Sequence, residues 1–110
     1  MRMTKSQIFN GVQLIGKPVK VDNNTWQYYR PNGEFVTRHM TTDIIVINHD
    51  HHTVHLHTGG WKSVTTKDRM NKFSPFNVYQ RNHKWFVITK HGDIPFTEDS
   101  IKLTDPRYAA

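Results

Sequence analysis

The stretch Trp26-Gln27-Tyr28-Tyr29-Arg30-Pro31-Asn32-Gly33-Glu34-Phe35-Val36-Thr37-Arg38 decides the class of fold. Apolar and aromatic residues flank Arg30-Pro31-Asn32-Gly33, and Asn-Gly supplies the positive φ that a tight hairpin turn demands. A period of two puts Trp26 and Tyr28 on one face and sets Phe35 in the opposing strand. The stretch predicts an antiparallel hairpin, and the chain on both sides continues in the same style.

Downstream, Asp43-Ile44-Ile45-Val46-Ile47-Asn48 is β-branched at its centre and reads as a strand buried on both faces. After the polar turn His49 to His52 comes the strict alternation Thr53-Val54-His55-Leu56-His57, with Val54 and Leu56 toward the core. Gly59-Gly60 breaks the sheet. Thr65-Thr66-Lys67-Asp68 fits a helix start at Thr65, opening a helix of about two turns with Met70 and Phe73 on one face. Ser74-Pro75 stops it. Asn77 to Arg81 and Lys84 to Thr89 form a second hairpin across Asn82-His83, apolar on both faces. Ile94-Pro95-Phe96 and a closing strand at Ile101 to Leu103 follow.

Upstream the pattern is weaker. Val12 to Ile15 and Val19 to Val21 suggest two short strands around Gly16-Lys17-Pro18, and Asn23-Asn24-Thr25 reads as a turn rather than a glycosylation acceptor. The sum is a mostly β fold: a small barrel or β-sandwich of about eight short strands with one short helix, both hairpins in one sheet system. A length of 110 residues fits one domain spanning 1–110, with 1–10 and 105–110 able to fray. Three Trp, four Tyr and six Phe offset a hydrophobic content of only 35%, so a packed core is expected. There is no cysteine, which excludes disulfide and thiol chemistry. No apolar run approaches the ~18 residues of a membrane span, and no signal-type segment follows Met1; a soluble, unexported protein is expected.

Charge is unevenly placed. From Lys62 to Lys90 there are seven Lys or Arg and one acid, which equals the whole formal excess of +6. The same stretch holds Phe73, Phe76, Tyr79, Trp85 and Phe86, with Trp61 just before it. Bases interleaved with aromatics can track phosphates and stack bases. The candidate nucleic-acid or partner-binding residues are Lys62, Lys67, Arg69, Lys72, Arg81 and Lys84. Arg69 and Lys72, at i and i+3, are expected to project together from the helix, so that charge reversal there leaves stability nearly intact. Arg81 and Lys84 are like charges flanking one turn, a mildly unfavourable pairing. The competing account makes these bases a solvated rim and makes Tyr79, Trp85 and Phe86 core.

Five of eight histidines lie between His49 and His57. His55 and His57 share a strand face, the spacing of strand-borne metal ligands, with His49 as a third candidate. A polar outer face is the simpler account, and no cofactor is expected. Gly59-Gly60 could form an anion-binding nest but lacks the glycine spacing of nucleotide loops. No nucleophile elbow or paired carboxylates appear, so enzyme activity has little support.

The run His57-Thr58-Gly59-Gly60-Trp61-Lys62-Ser63-Val64-Thr65-Thr66-Lys67-Asp68-Arg69-Met70-Asn71, with Val78-Tyr79-Gln80, Lys84 to Val87 and Ile94-Pro95-Phe96, resembles small bacteriophage proteins. The likeness covers roughly residues 36 to 103, with Ser63 standing where those proteins carry Thr. It implies a phage-encoded protein acting inside an infected bacterium or built into a virion, and brings no activity with it. The leading expectation is a non-enzymatic phage accessory protein binding nucleic acid through a basic aromatic surface. The alternatives are an inhibitor or modulator seated on an acidic host-protein face, a virion or assembly component, and a His-centred metal-dependent hydrolase.

Overall fold

The hairpin from Trp26 to Arg38 sits inside a six-stranded antiparallel sheet. In the computed structural model, which describes residues 2–108, that sheet has the order β1 (Ile15–Asp22), β2 (Thr25–Tyr29), β3 (Phe35–His39), β4 (Thr42–Asn48), β5 (Thr53–His57) and β9 (Ser100–Thr104). A second sheet holds β6 (Asn77–Arg81), β7 (Lys84–Thr89) and β8 (Gly92–Pro95). The main helix, α2 (Val64–Phe73), joins β5 to β6; a single turn, α1 (Lys5–Ile8), opens the chain. The fold is mostly β and sandwich-like, and the sheets do not close into a barrel. The two hairpins thus belong to different sheets, against the expectation of one sheet system.

Local chemistry explains most boundaries. Between β2 and β3, Arg30 N–H bonds Glu34 O at 2.9 Å and Gly33 N–H bonds Arg30 O at 2.9 Å. Only Gly33 takes positive φ, 88°, so this is a three-residue loop with a glycine bulge rather than a two-residue Asn-Gly turn. Between β6 and β7 the two-residue turn does occur, with Asn82 and His83 both at positive φ. β1 runs unbroken from Ile15 to Asp22 through Gly16 at φ 70°, so the two short strands expected there are one bulged edge strand.

α2 starts at Val64, beside the Thr65 expected, but its cap lies two residues before Thr65. Ser63 is its cap: the Ser63 hydroxyl accepts from Thr66 N–H at 3.1 Å and lies 2.9 Å from the buried Thr66 hydroxyl. Asp68 is drawn instead to Arg69 and Lys72. α1 carries its own capping box, Thr4 with Gln7, and buries Ile8 completely.

The core lies between the sheets. Alternation puts Ile45, Ile47, Val54 and Leu56 of the large sheet against Met70 of α2, Phe76, and Val78, Trp85 and Val87 of the small one. The opposite face of the large sheet is covered in part by the N-terminal segment, where Phe9, Val12 and Leu14 pack on Tyr28, Val36 and Val46. Phe9 meets Trp26 and Tyr28 edge-on at 5.8 and 5.4 Å. Arg38 fixes this layer: its Nε donates to Ile8 O at 2.9 Å and its guanidinium pairs with Asp43 at 2.8 Å. Asp43 also accepts from Arg30 and from the Tyr28 hydroxyl, so the half-buried carboxylate is well satisfied.

α2 packs alongside β6 and shields its edge. The Asn71 side-chain amide donates to Val78 O at 3.0 Å and accepts from Val78 N–H at 2.6 Å. An edge strand so covered does not offer its ladder to another chain.

Candidate nucleic-acid interface

With Val78, Trp85 and Val87 committed to the core, the pleat turns Tyr79, Arg81, Lys84, Phe86 and Ile88 to the outer face of the small sheet. Tyr79 and Phe86 are directly opposite and stack, with centroids 5.4 Å apart and planes 20° apart. Arg81 lies over the Phe86 ring at 5.5 Å and is paired across the turn with Lys84. The Tyr79 hydroxyl donates to Asp93, which raises the phenol above its ordinary value. Of the three aromatics, Trp85 is core, whereas Tyr79 and Phe86 are half-buried on the outside. Apolar residues on both faces of a hairpin cannot say which face meets the other sheet.

The six candidate cations divide into two groups. Lys67 holds its ammonium 5.8 Å from the centre of the Trp85 ring, and Trp85 is the strand neighbour of Lys84. Lys62 donates to Phe96 O and Thr97 O at 3.0 and 2.9 Å, and Phe96 N–H bonds Trp85 O at 2.8 Å. Lys62 and Lys67 therefore reach this end of the small sheet from its inner side, while Arg81 and Lys84 stand at the same end on its outer face. Arg69 and Lys72 do not join them. Arg69 is buried, its guanidinium ion-paired with Asp22 and Asp68 and its Nε donating to Thr25 Oγ1 at 3.0 Å. Lys72 pairs with Asp22 at 3.1 Å and Asp68 at 3.4 Å. The exposed Arg69–Lys72 face expected from the i, i+3 spacing is thus a largely neutralised cluster tying α2 to the β1–β2 turn.

The glycine turn is also spoken for. Gly60 N–H bonds Thr58 Oγ1 and Trp61 N–H bonds Thr58 O, both at 3.2 Å, so these amides serve the turn rather than an anion. Gly59 has φ 66°, and a Cβ there would stand 2.6 Å from Thr42 Oγ1.

The profile of one protein family, described as Kyanoviridae Gp96 protein, matches residues 1–103. The chain belongs to that family. It is a bacteriophage protein, as the resemblance of residues 36 to 103 implied. No curated protein and no solved structure matches the chain. Among the described residues no helix is long and apolar enough to cross a membrane.

The clustered histidines, His49 to His57, lie on the large sheet and its β4–β5 turn. His55 and His57 face outward from β5 with rings 3.8 Å apart, while the His49 ring meets the Tyr108 hydroxyl at 3.3 Å. Among the described residues no three His, Asp or Glu side chains come close enough to hold a metal. Burial is the main force lowering the pKa of His55, His57 and His39 below the ordinary 6.5, and the neighbouring cations Lys102, Arg30 and Arg69 add to it. Asp43 and Glu34 oppose it only in part. The folded state therefore binds fewer protons than the unfolded chain just below pH 6.5, and stability rises with pH there. The urea midpoint is expected to fall as pH drops from about 7.5 to 5, and to fall less in the double variant His55→Gln, His57→Gln. Equal midpoints for the parent protein across that window would remove the imidazole contribution.

Proposed function

We propose that this phage protein is a non-enzymatic accessory factor that binds nucleic acid across the outer face of its small sheet. The supporting observation is the Tyr79–Phe86 stack, left half-uncovered beside Arg81 and Lys84 on one open antiparallel sheet. Aromatic faces on such a sheet accept bases of any identity, while cations beside them hold the phosphates. Lys62 and Lys67 extend the positive end. The selectivity is for the polyanion and for stacking, with little sequence readout, because the contacts available are to phosphates and base faces.

Titration of labelled single- and double-stranded DNA and RNA at several salt concentrations tests this. Four cations at the sheet end neutralise about four phosphates, so log affinity falls against log salt with a slope of roughly −3 for a single strand. The double variant Arg81→Glu, Lys84→Glu should weaken binding across all sequences and flatten the slope by roughly 1.4 or more. Absence of binding to every probe at about 50 mM salt overturns the reading and leaves the basic end to an acidic host-protein face.

A further inference from the structure

We infer that Trp61 is a second stacking point for the same ligand, and that the ligand is a single strand led off the Tyr79–Phe86 pair around the end of the small sheet. This rests on the nucleic-acid reading above and adds to it a strand state, a path and a further binding residue. The observation is an indole that is 77% exposed in a chain that finds cover for its other two. Trp85 is core, and Trp26 packs edge-on against Phe9 with the Lys5 ammonium over its ring. An indole so exposed leaves a large apolar area in water.

The backbone that carries Trp61 is fixed on both sides. Before it, the Thr58 turn is closed by the Gly60 and Trp61 amides, and Gly59 fits against Thr42 with no room for a side chain. After it, Lys62 is anchored to the carbonyls of Phe96 and Thr97, and Ser63 caps α2. The indole is thus an uncovered ring on a pinned support, the arrangement a stacking contact requires. Lys62 follows it in sequence and touches the Phe96 ring; Phe96 bonds to Trp85, and Trp85 lies beside Lys84 and under Lys67. A chain of contacts thus joins the Trp61 support through Lys62 and Phe96 to the strand that carries Lys84 and Phe86. Bases inside a duplex have their faces occupied by their neighbours, so two separated ring contacts select an unpaired strand.

The probes are a decathymidylate and a DNA duplex of the same length, titrated at low salt against the parent protein, Trp61→Ala, Trp61→Phe and Phe86→Ala. The parent is expected to prefer the single strand, with a change in tryptophan emission that is lost in Trp61→Phe. Trp61→Ala is expected to bind decathymidylate about tenfold more weakly or worse, the usual loss for one base stack, with the parent's melting temperature. If Trp61→Ala binds as the parent does while Phe86→Ala is weakened, the strand does not reach Trp61; the inference then fails and the nucleic-acid reading stands. Duplex bound as tightly as decathymidylate also overturns the inference. No binding of decathymidylate or duplex by the parent overturns the underlying reading itself.

Discussion

Replacing Trp85 by alanine is expected to destabilise the protein by about 3–5 kcal/mol, a large fraction of what a small domain has. Trp85 is 3% exposed and joins the small sheet to everything beneath it. Its ring meets Phe96 edge-on at 6.0 Å, and its backbone oxygen accepts from Phe96 N–H at 2.8 Å. Removing the indole opens a cavity among Met70, Phe76, Val78 and Val87, which neighbouring strands cannot collapse to fill without breaking register. The adjacent change, Phe86→Ala, should behave in the opposite way. Phe86 lies on the outer face, so its loss forfeits the Tyr79 stack and the Arg81 contact at about 1 kcal/mol while weakening nucleic-acid binding. Urea melts of both variants beside their binding curves separate the roles. A Trp85→Ala protein that melts with the parent would show that the ring is not core.

That contrast marks how far the sequence is readable. Hairpins, strand alternation and the inward pair Val54 and Leu56 follow from short-range periodicity, and all of these are found. What periodicity cannot carry is the choice of partner. β6 and β7 pair with β8 and not with the large sheet, and that decision rests on how α2 lies between the two. The same indeterminacy hid the candidate site: Tyr79 and Phe86 look identical to core residues until the other sheet claims the opposite face. One local signal was present and unread. Thr4-Lys5-Ser6-Gln7 is a capping box as good as any in the chain, and it opens α1. Thr65 also fits the capping pattern, but the Ser63 hydroxyl takes the Thr66 amide; hydroxyls two residues apart offer two frames for one helix start.

Arg69 is where sequence and structure part most sharply, and Arg69→Ala is expected to cost about 3 kcal/mol, the low end for breaking a buried ion pair. The residue is only 9% exposed, and its Nε–H reaches Thr25 Oγ1, which also donates to Asn23 O at 2.7 Å and meets His39 Nδ1 at 3.1 Å. With its one proton spent on Asn23, the Thr25 oxygen offers only lone pairs, so Arg69 and the His39 Nδ1–H both donate to it. Cutting Arg69 back unravels that buried knot between α2 and the β2 start. The cost stays at the low end because Asp22 keeps Lys72 at 3.1 Å and the Asn23 amide at 2.8 Å. Lys72→Ala, one turn along the same helix, should cost clearly less, since its pairs are largely solvated. Charge reversal sharpens the comparison: Arg69→Glu would set a third carboxylate beside Asp22 and Asp68, from a position that is itself buried. Neither residue belongs to the sheet end that gathers Lys62, Lys67, Arg81 and Lys84, so Lys72→Glu should leave the salt slope of nucleic-acid binding unchanged within about half a unit. Urea midpoints for Arg69→Ala and Lys72→Ala decide the first point. Equal losses would mean that Arg69 is a surface base after all, and a flattened slope in Lys72→Glu would return α2 to the binding face.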